Sequence, residues 1–212
     1  DLFGVLGQVL FEKLKQEDIE TLDSEQSIAF VNAYYRTMGP EDHLRAREVI
    51  QRASERDPNN GHVWAMVAQV CVDEFAYGFN SLPDSLDRAL EAGQRAVELD
   101  PNSDRTHAAL GRVYFWSGKI SAALSESERA LEINPHGGLR ILQHGYHLAL
   151  SGDWEQGLDL YKKAMEVIKD TLGSYLVYPV FFDHYHKERY DDALKVLHKY
   201  GIPKLWFTHA CF

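Results

Sequence analysis

Ten histidines in a chain of 212 residues raise the question of metal or general-base chemistry first. His144 and His147 stand three apart in a helical stretch, and His184 and His186 stand two apart further on. A zinc centre needs three or four converging ligands and partners that orient them. The chain has no HExxH pattern and no paired Cys/His spacing. Its two cysteines, Cys71 and Cys211, are too widely separated for a disulfide framework or a zinc site, and a reducing, cytoplasmic setting fits them. Ser117, Ser121, Ser125 and Ser127 lack a His and an Asp in a nucleophile context. Gly137 and Gly138 make a turn pair, and the surrounding glycines match neither a phosphate loop nor a dinucleotide fingerprint. These patterns lead us to expect no metal, no cofactor and no catalysis. His107 and His144 are read as packing residues.

Charge narrows the partners. The net charge is -10. Residues 1–100 hold 9 basic and 19 acidic side chains, while residues 101–212 hold 13 of each. An acidic chain repels phosphate backbones, so nucleic acid is not an expected partner. No apolar run approaches the ~18 residues of a membrane span. The chain opens at Asp1 without a signal-peptide pattern and reads as a piece of a longer protein.

The elements that must carry any site are helices, and they repeat. Pro101 and Pro135 lie 34 residues apart, as do Gly111 and Gly145, Gly118 and Gly152, Ala123 and Gly157, and Ala130 and Ala164. Each pair holds a small or helix-ending residue at an equivalent place. A 34-residue period filled with helical patterning marks stacked helix–turn–helix units. The small residues let two helices approach closely, and each proline stops a second helix. Pro58 and Pro101 are 43 apart, nine more than the period, and the excess falls in the aromatic stretch 75–83. Three aromatics in nine residues predict an insertion that is ordered, packing on the array or meeting a partner. Residues 1–22 read as a leading, capping helix, 23–200 as the array, and 201–212 as the start of a further helix.

Residues 104–135 and 138–169 resemble tetratricopeptide repeat (TPR) motifs strongly, 27–101 moderately and 174–200 weakly. The segments GPEDHLRAREVIQRASERDPNN and LEINPHGGLRILQHGYHLALSGDWEQGLDL, with the aromatic insertion, also resemble the C-terminal TPR regions of bacterial adenylyl cyclase-like and winged-helix signalling regulators. The resemblance implies an all-α fold, a right-handed TPR superhelix (α-solenoid) of about five helix pairs with a leading capping helix. It also implies a protein-interaction module within a larger bacterial signalling protein.

In such arrays the first helix of each repeat lines the concave side. That rule gives a partner-binding strip of Tyr35, Gln69, Arg105, Arg112, Tyr146, Tyr175, Tyr178 and Phe182. The basic and asparagine clamp of chaperone-tail binders is not matched, since Val31, Tyr35 and Met66 occupy its places and Ala109 follows Arg105. Two arginines followed by an aromatic wall suit a peptide that presents an acidic residue near apolar ones. Three occupants of the groove stay open: an external peptide, the protein's own terminal helices, or a second copy in a homodimer. A small-molecule sensor or enzyme is the remaining alternative.

Overall fold

The computed structural model describes residues 9, 11–168 and 178–200. Among the described residues there are ten α-helices of eleven to seventeen residues apart from one of nine, a further helical stretch at 11–16, one 3-10 turn and no strand. They are α1 (Ser24–Thr37), α2 (Pro40–Arg56), α3 (Gly61–Tyr77), α4 (Ser85–Leu99), α5 (Asp104–Trp116), α6 (Ile120–Ile133), α7 (Gly138–Leu150), α8 (Trp154–Ile168), α9 (Tyr178–His186) and α10 (Tyr190–Tyr200). Odd and even helices pair as five hairpins.

The sequence signals act where the spacing places them. The Asp23 carboxylate accepts from the Gln26 backbone N–H, and the Gln26 side chain accepts from the Asp23 N–H, so α1 starts on a reciprocal cap. Pro40 opens α2, where its missing N–H is no loss. The second helices of the first three repeats stop one residue before a proline, at Asp57, Asp100 and Asn134, each donating its N–H to a buried alanine four back: Ala53, Ala96 and Ala130.

The turn inside each repeat is a left-handed one. Gly118 and Gly152 have φ of 73° and 115°. In the same turns Lys119 N–H reaches Tyr114 O, and Asp153 N–H reaches Leu148 O, both spanning five residues. The fifth repeat closes the same way, Arg189 N–H on His184 O, but with Glu188 at φ 56° in the glycine's place.

First helices of adjacent repeats touch in order, α1 on α3, α3 on α5 and α5 on α7, so they form one continuous face. α9 joins the array through α8. At the front, Phe11 and Leu14 are buried, and the Phe11 ring lies 4.9 Å from Phe30 of α1. Residues 1–8 and 10 of the expected leading helix, Lys169 at the end of the fourth repeat, and the expected helix at 201–212 lie outside the described residues.

The insertion differs from its expected bounds. Phe75, Ala76 and Tyr77 continue α3, which is four residues longer than α5 or α7. The connection begins at Gly78, whose φ of 67° ends the helix. It folds back on the array: Asn80 donates to Pro40 O and lies 3.2 Å from His43 Nδ1. Ser81 donates to Glu74 O at 2.7 Å, and Phe79 packs on His43 and Tyr77. Beneath it Glu74, fully buried, is held by Arg47 and Arg88. Those bonds satisfy a carboxylate that would be costly to bury alone.

Candidate functional site

The continuous face carries a polar knot at its centre. Arg112 of α5 ion-pairs with Asp73 of α3, whose side chain has no exposed surface. The same guanidinium donates to Gln69 O at 3.2 Å and reaches Tyr35 Oη of α1 at 3.5 Å. It also lies 5.9 Å from the Tyr35 ring centroid, close enough for a cation–π contact. Burial alone would lower the Arg112 pKa, but Asp73, Tyr35 and Tyr77 raise it well above its ordinary value. Burial raises the Tyr77 hydroxyl, and the Arg112 hydrogen bond opposes that.

An aromatic wall leads away from this knot. Tyr77 meets Trp116 at 6.5 Å, Trp116 meets Phe115 at 6.1 Å, and Phe115 meets Tyr146 of α7 at 5.7 Å. His147 stacks on Phe115, centroids 4.7 Å apart and planes 10° apart. Burial raises the Tyr146 hydroxyl and the Tyr34 hydroxyl behind the knot.

The structure therefore brings Tyr35, Gln69, Arg112 and Tyr146 onto one half-buried face. Arg112 is not the open cation that the spacing implied, because Asp73 already neutralises it. Arg105 is exposed at the start of α5, with no ion pair among the described residues. Its nearness also lowers the pKa of Arg140, after burial, while Asp104 holds Arg140 at 3.0 Å. Phe182 sits half-buried on α9 against Phe181, 5.4 Å between rings. Tyr175 and the side chain of Tyr178 lie outside the described residues. Val31, Ala65, Val72, Ala108, Leu142 and Ala149, which stand on the same first helices, are buried.

Sequence reasoning missed Asp73, Tyr77, Trp116 and His147. Asp73 and Glu74 were legible in principle: two acids inside an apolar helix demand partners. Of the histidine pair, His147 is the buried one, while His144 is half-buried with Nδ1 2.9 Å from Ser127 Oγ. His107 is also buried, its ring nitrogens 2.6 Å from Glu126 and 3.0 Å from Pro101 O. Cys71 is buried, and burial pushes its thiol up to about 11, which makes it a poor nucleophile. Among the described residues no three His, Cys, Asp or Glu side chains converge as metal ligands, and no helix is long and apolar enough to cross a membrane.

His147 makes the site pH-sensitive. Burial first, then His144 and Arg112, lowers its pKa from 6.5 to about 3. The unfolded chain takes up a proton below about pH 6.5 that the folded chain refuses until about 3. Stability from the neutral, stacked ring is complete above that window and falls with pH inside it, by at most about 1.4 kcal/mol per unit. His147→Phe is expected to flatten the slope by up to one proton between about pH 4 and about pH 7. Urea midpoints measured across that range check it, and an unchanged slope would refute a proton-refusing His147.

No known family model matches the sequence, and no curated protein matches it. Solved structures do share its fold. TTC0263, a thermophilic TPR protein of Thermus thermophilus, is 19% identical with a TM-score of 0.64, covering 88% of this chain and 95% of that one. The Cut9–Hcn1 hetero-tetramer of the APC/C gives 18% and 0.64, over 92% of this chain and 36% of that one. An O-GlcNAc transferase of Thermobaculum terrenum gives 18% and 0.51, over 76% and 26%. Repeat length, helix pairing and these likenesses together show that the chain has the α-solenoid fold of tetratricopeptide-repeat proteins.

Proposed function

We propose that the chain is a protein-interaction module that binds a peptide or partner protein along its concave face, as a regulatory region of a larger bacterial signalling protein. The observation that carries this reading is the half-buried strip of Tyr35, Gln69, Trp116, Phe115 and Tyr146, contributed by four successive first helices. Tyrosine and tryptophan offer large apolar area with a polar tip, which suits them to interfaces. With Arg112 neutralised internally, Arg105 is the cation available to an acidic residue of the ligand. The role proposed is binding rather than catalysis, in the cytoplasm.

A peptide display library selected on the protein tests this. Selected peptides are expected to lose about tenfold in affinity on Tyr146→Ala, with little salt dependence, since an interfacial tyrosine is worth about 1–2 kcal/mol. Arg105→Gln should lose less, and mostly at low salt. Equal affinities in wild type and both variants would move binding off this face.

A self-assembly scaffold is the second reading. Tyr185, Tyr190 and Leu194 of the last hairpin are about half exposed, and the two tyrosine rings lie 5.5 Å apart. Sedimentation equilibrium of wild type against Tyr190→Ser separates the readings.

A further inference from the structure

Away from the concave face, one buried carboxylate gathers three cations. Asp183 of α9 is 1% exposed. Lys187 lies 2.6 Å from it, Arg189 3.2 Å and Lys162 of α8 4.0 Å. The Trp154 indole N–H, at the start of α8, donates to it at 3.3 Å. Among the described residues no second carboxylate is within ion-pair distance of these three cations. Asp192, whose charge Arg189 also feels, is already paired with Lys195 at 2.8 Å.

Three cations against one carboxylate leave a formal excess of two positive charges. That excess stands out in a chain of net charge -10, and at physiological salt a local cluster acts over only about 8 Å. The cluster is also pre-assembled. Lys187 and Arg189 stand on the closed α9–α10 turn, fixed by the bonds from Lys187 N–H to Asp183 O and Arg189 N–H to His184 O. Each cation keeps about half its side chain exposed, 48% for Lys162, 55% for Lys187 and 46% for Arg189. The buried Asp183 holds them together from below, while their outer faces stay open to solvent.

We propose that Lys162, Lys187 and Arg189 form an anion site for a phosphomonoester dianion at the junction of the fourth and fifth repeats. Such a group carries a charge of about -1.5 to -2 and three acceptor oxygens, which matches the excess of two. A carboxylate would leave one cation unbalanced. The guanidinium supplies a planar fork and the two ammonium groups supply point charges. The same chemistry is available as a phosphorylated side chain of a partner or as a free small phosphate. This site does not share a residue with the concave strip, so the two stand or fall separately.

The test follows the Trp154 indole N–H by NMR while the protein is titrated with inorganic phosphate at about pH 7.5, with Trp154→Phe assigning the signal. A phosphoserine peptide, its unphosphorylated form and acetate are titrated in parallel. Saturable shifts are expected for phosphate and for the phosphopeptide, with acetate at least tenfold weaker. Lys187→Gln and Arg189→Gln should each weaken binding at least fivefold, with unchanged thermal midpoints showing that the fold is intact. A phosphopeptide tenfold tighter than phosphate would mark a partner-borne group, and equal affinities a free phosphate; both support the site. Shifts that fail to saturate, that persist in the Lys187→Gln/Arg189→Gln double variant, or that acetate reproduces at equal concentration would overturn it.

Discussion

Replacing Gly157 with alanine is expected to destabilise the chain by about 3 kcal/mol, although it adds a single methyl. A Cβ at 157 would lie 2.2 Å from Ala149 N, 2.5 Å from Gly145 O and 2.7 Å from Ala149 Cα. All three are backbone atoms, so no rotamer change relieves them, and α7 and α8 must separate. A Cβ on Gly145 would meet Gly157 O at 2.7 Å and Tyr161 N at 2.8 Å, almost as severely. Gly111 differs. Its nearest atoms, Ala123 O, Glu126 Cβ and Ser127 N, are each at 3.3 Å. A methyl there needs only a small shift, and leaving glycine in a helix interior returns up to about 1 kcal/mol. The expected order of damage by alanine is 157, then 145, with 111 near neutral. Urea unfolding of the three variants checks it. A Gly157→Ala midpoint indistinguishable from wild type would mean that the two helices do not approach as closely as described.

The same glycines show how far the sequence could be read. Their 34-residue spacing located the helix pairs and named the tight approach, because small residues recur only where helices meet. Spacing could not rank them, since the gap between α5 and α6 and that between α7 and α8 are set by surrounding side chains. The insertion was mislocated for a related reason. Phe75, Ala76 and Tyr77 keep helical spacing with Val72 and Cys71, so the excess residues began by lengthening α3 rather than by breaking it. The proline stops and the Asp23 cap were legible because they act locally. Arg112 was not, because its partner Asp73 is 39 residues away in sequence, and face assignment tells which way a side chain points without telling what it meets.

That pairing sets the second large expectation. Arg112→Ala leaves Asp73, with no exposed surface, as an uncompensated buried charge, a change that costs about 3–5 kcal/mol. Asp73→Ala should cost less. Arg112 keeps 17% of its side chain exposed and retains Gln69 O and the tyrosine hydroxyls as acceptors. Exchanging both for apolar residues, Asp73→Leu with Arg112→Met, should recover most of the loss, since the desolvation cost vanishes with both charges. A double-mutant cycle on denaturant midpoints measures the coupling directly. If Arg112→Ala unfolds at the wild-type midpoint, the pair is not the buried strut described. The consequence for function is an order of work. Arg112 fixes Tyr35 and Tyr77 on two different helices, so its loss would deform the concave strip whether or not any ligand touches the guanidinium. Weakened binding by Arg112→Ala therefore says nothing about a ligand contact until its stability is matched to wild type. The double apolar variant, folded but without the charge, is the protein in which that contact can be tested.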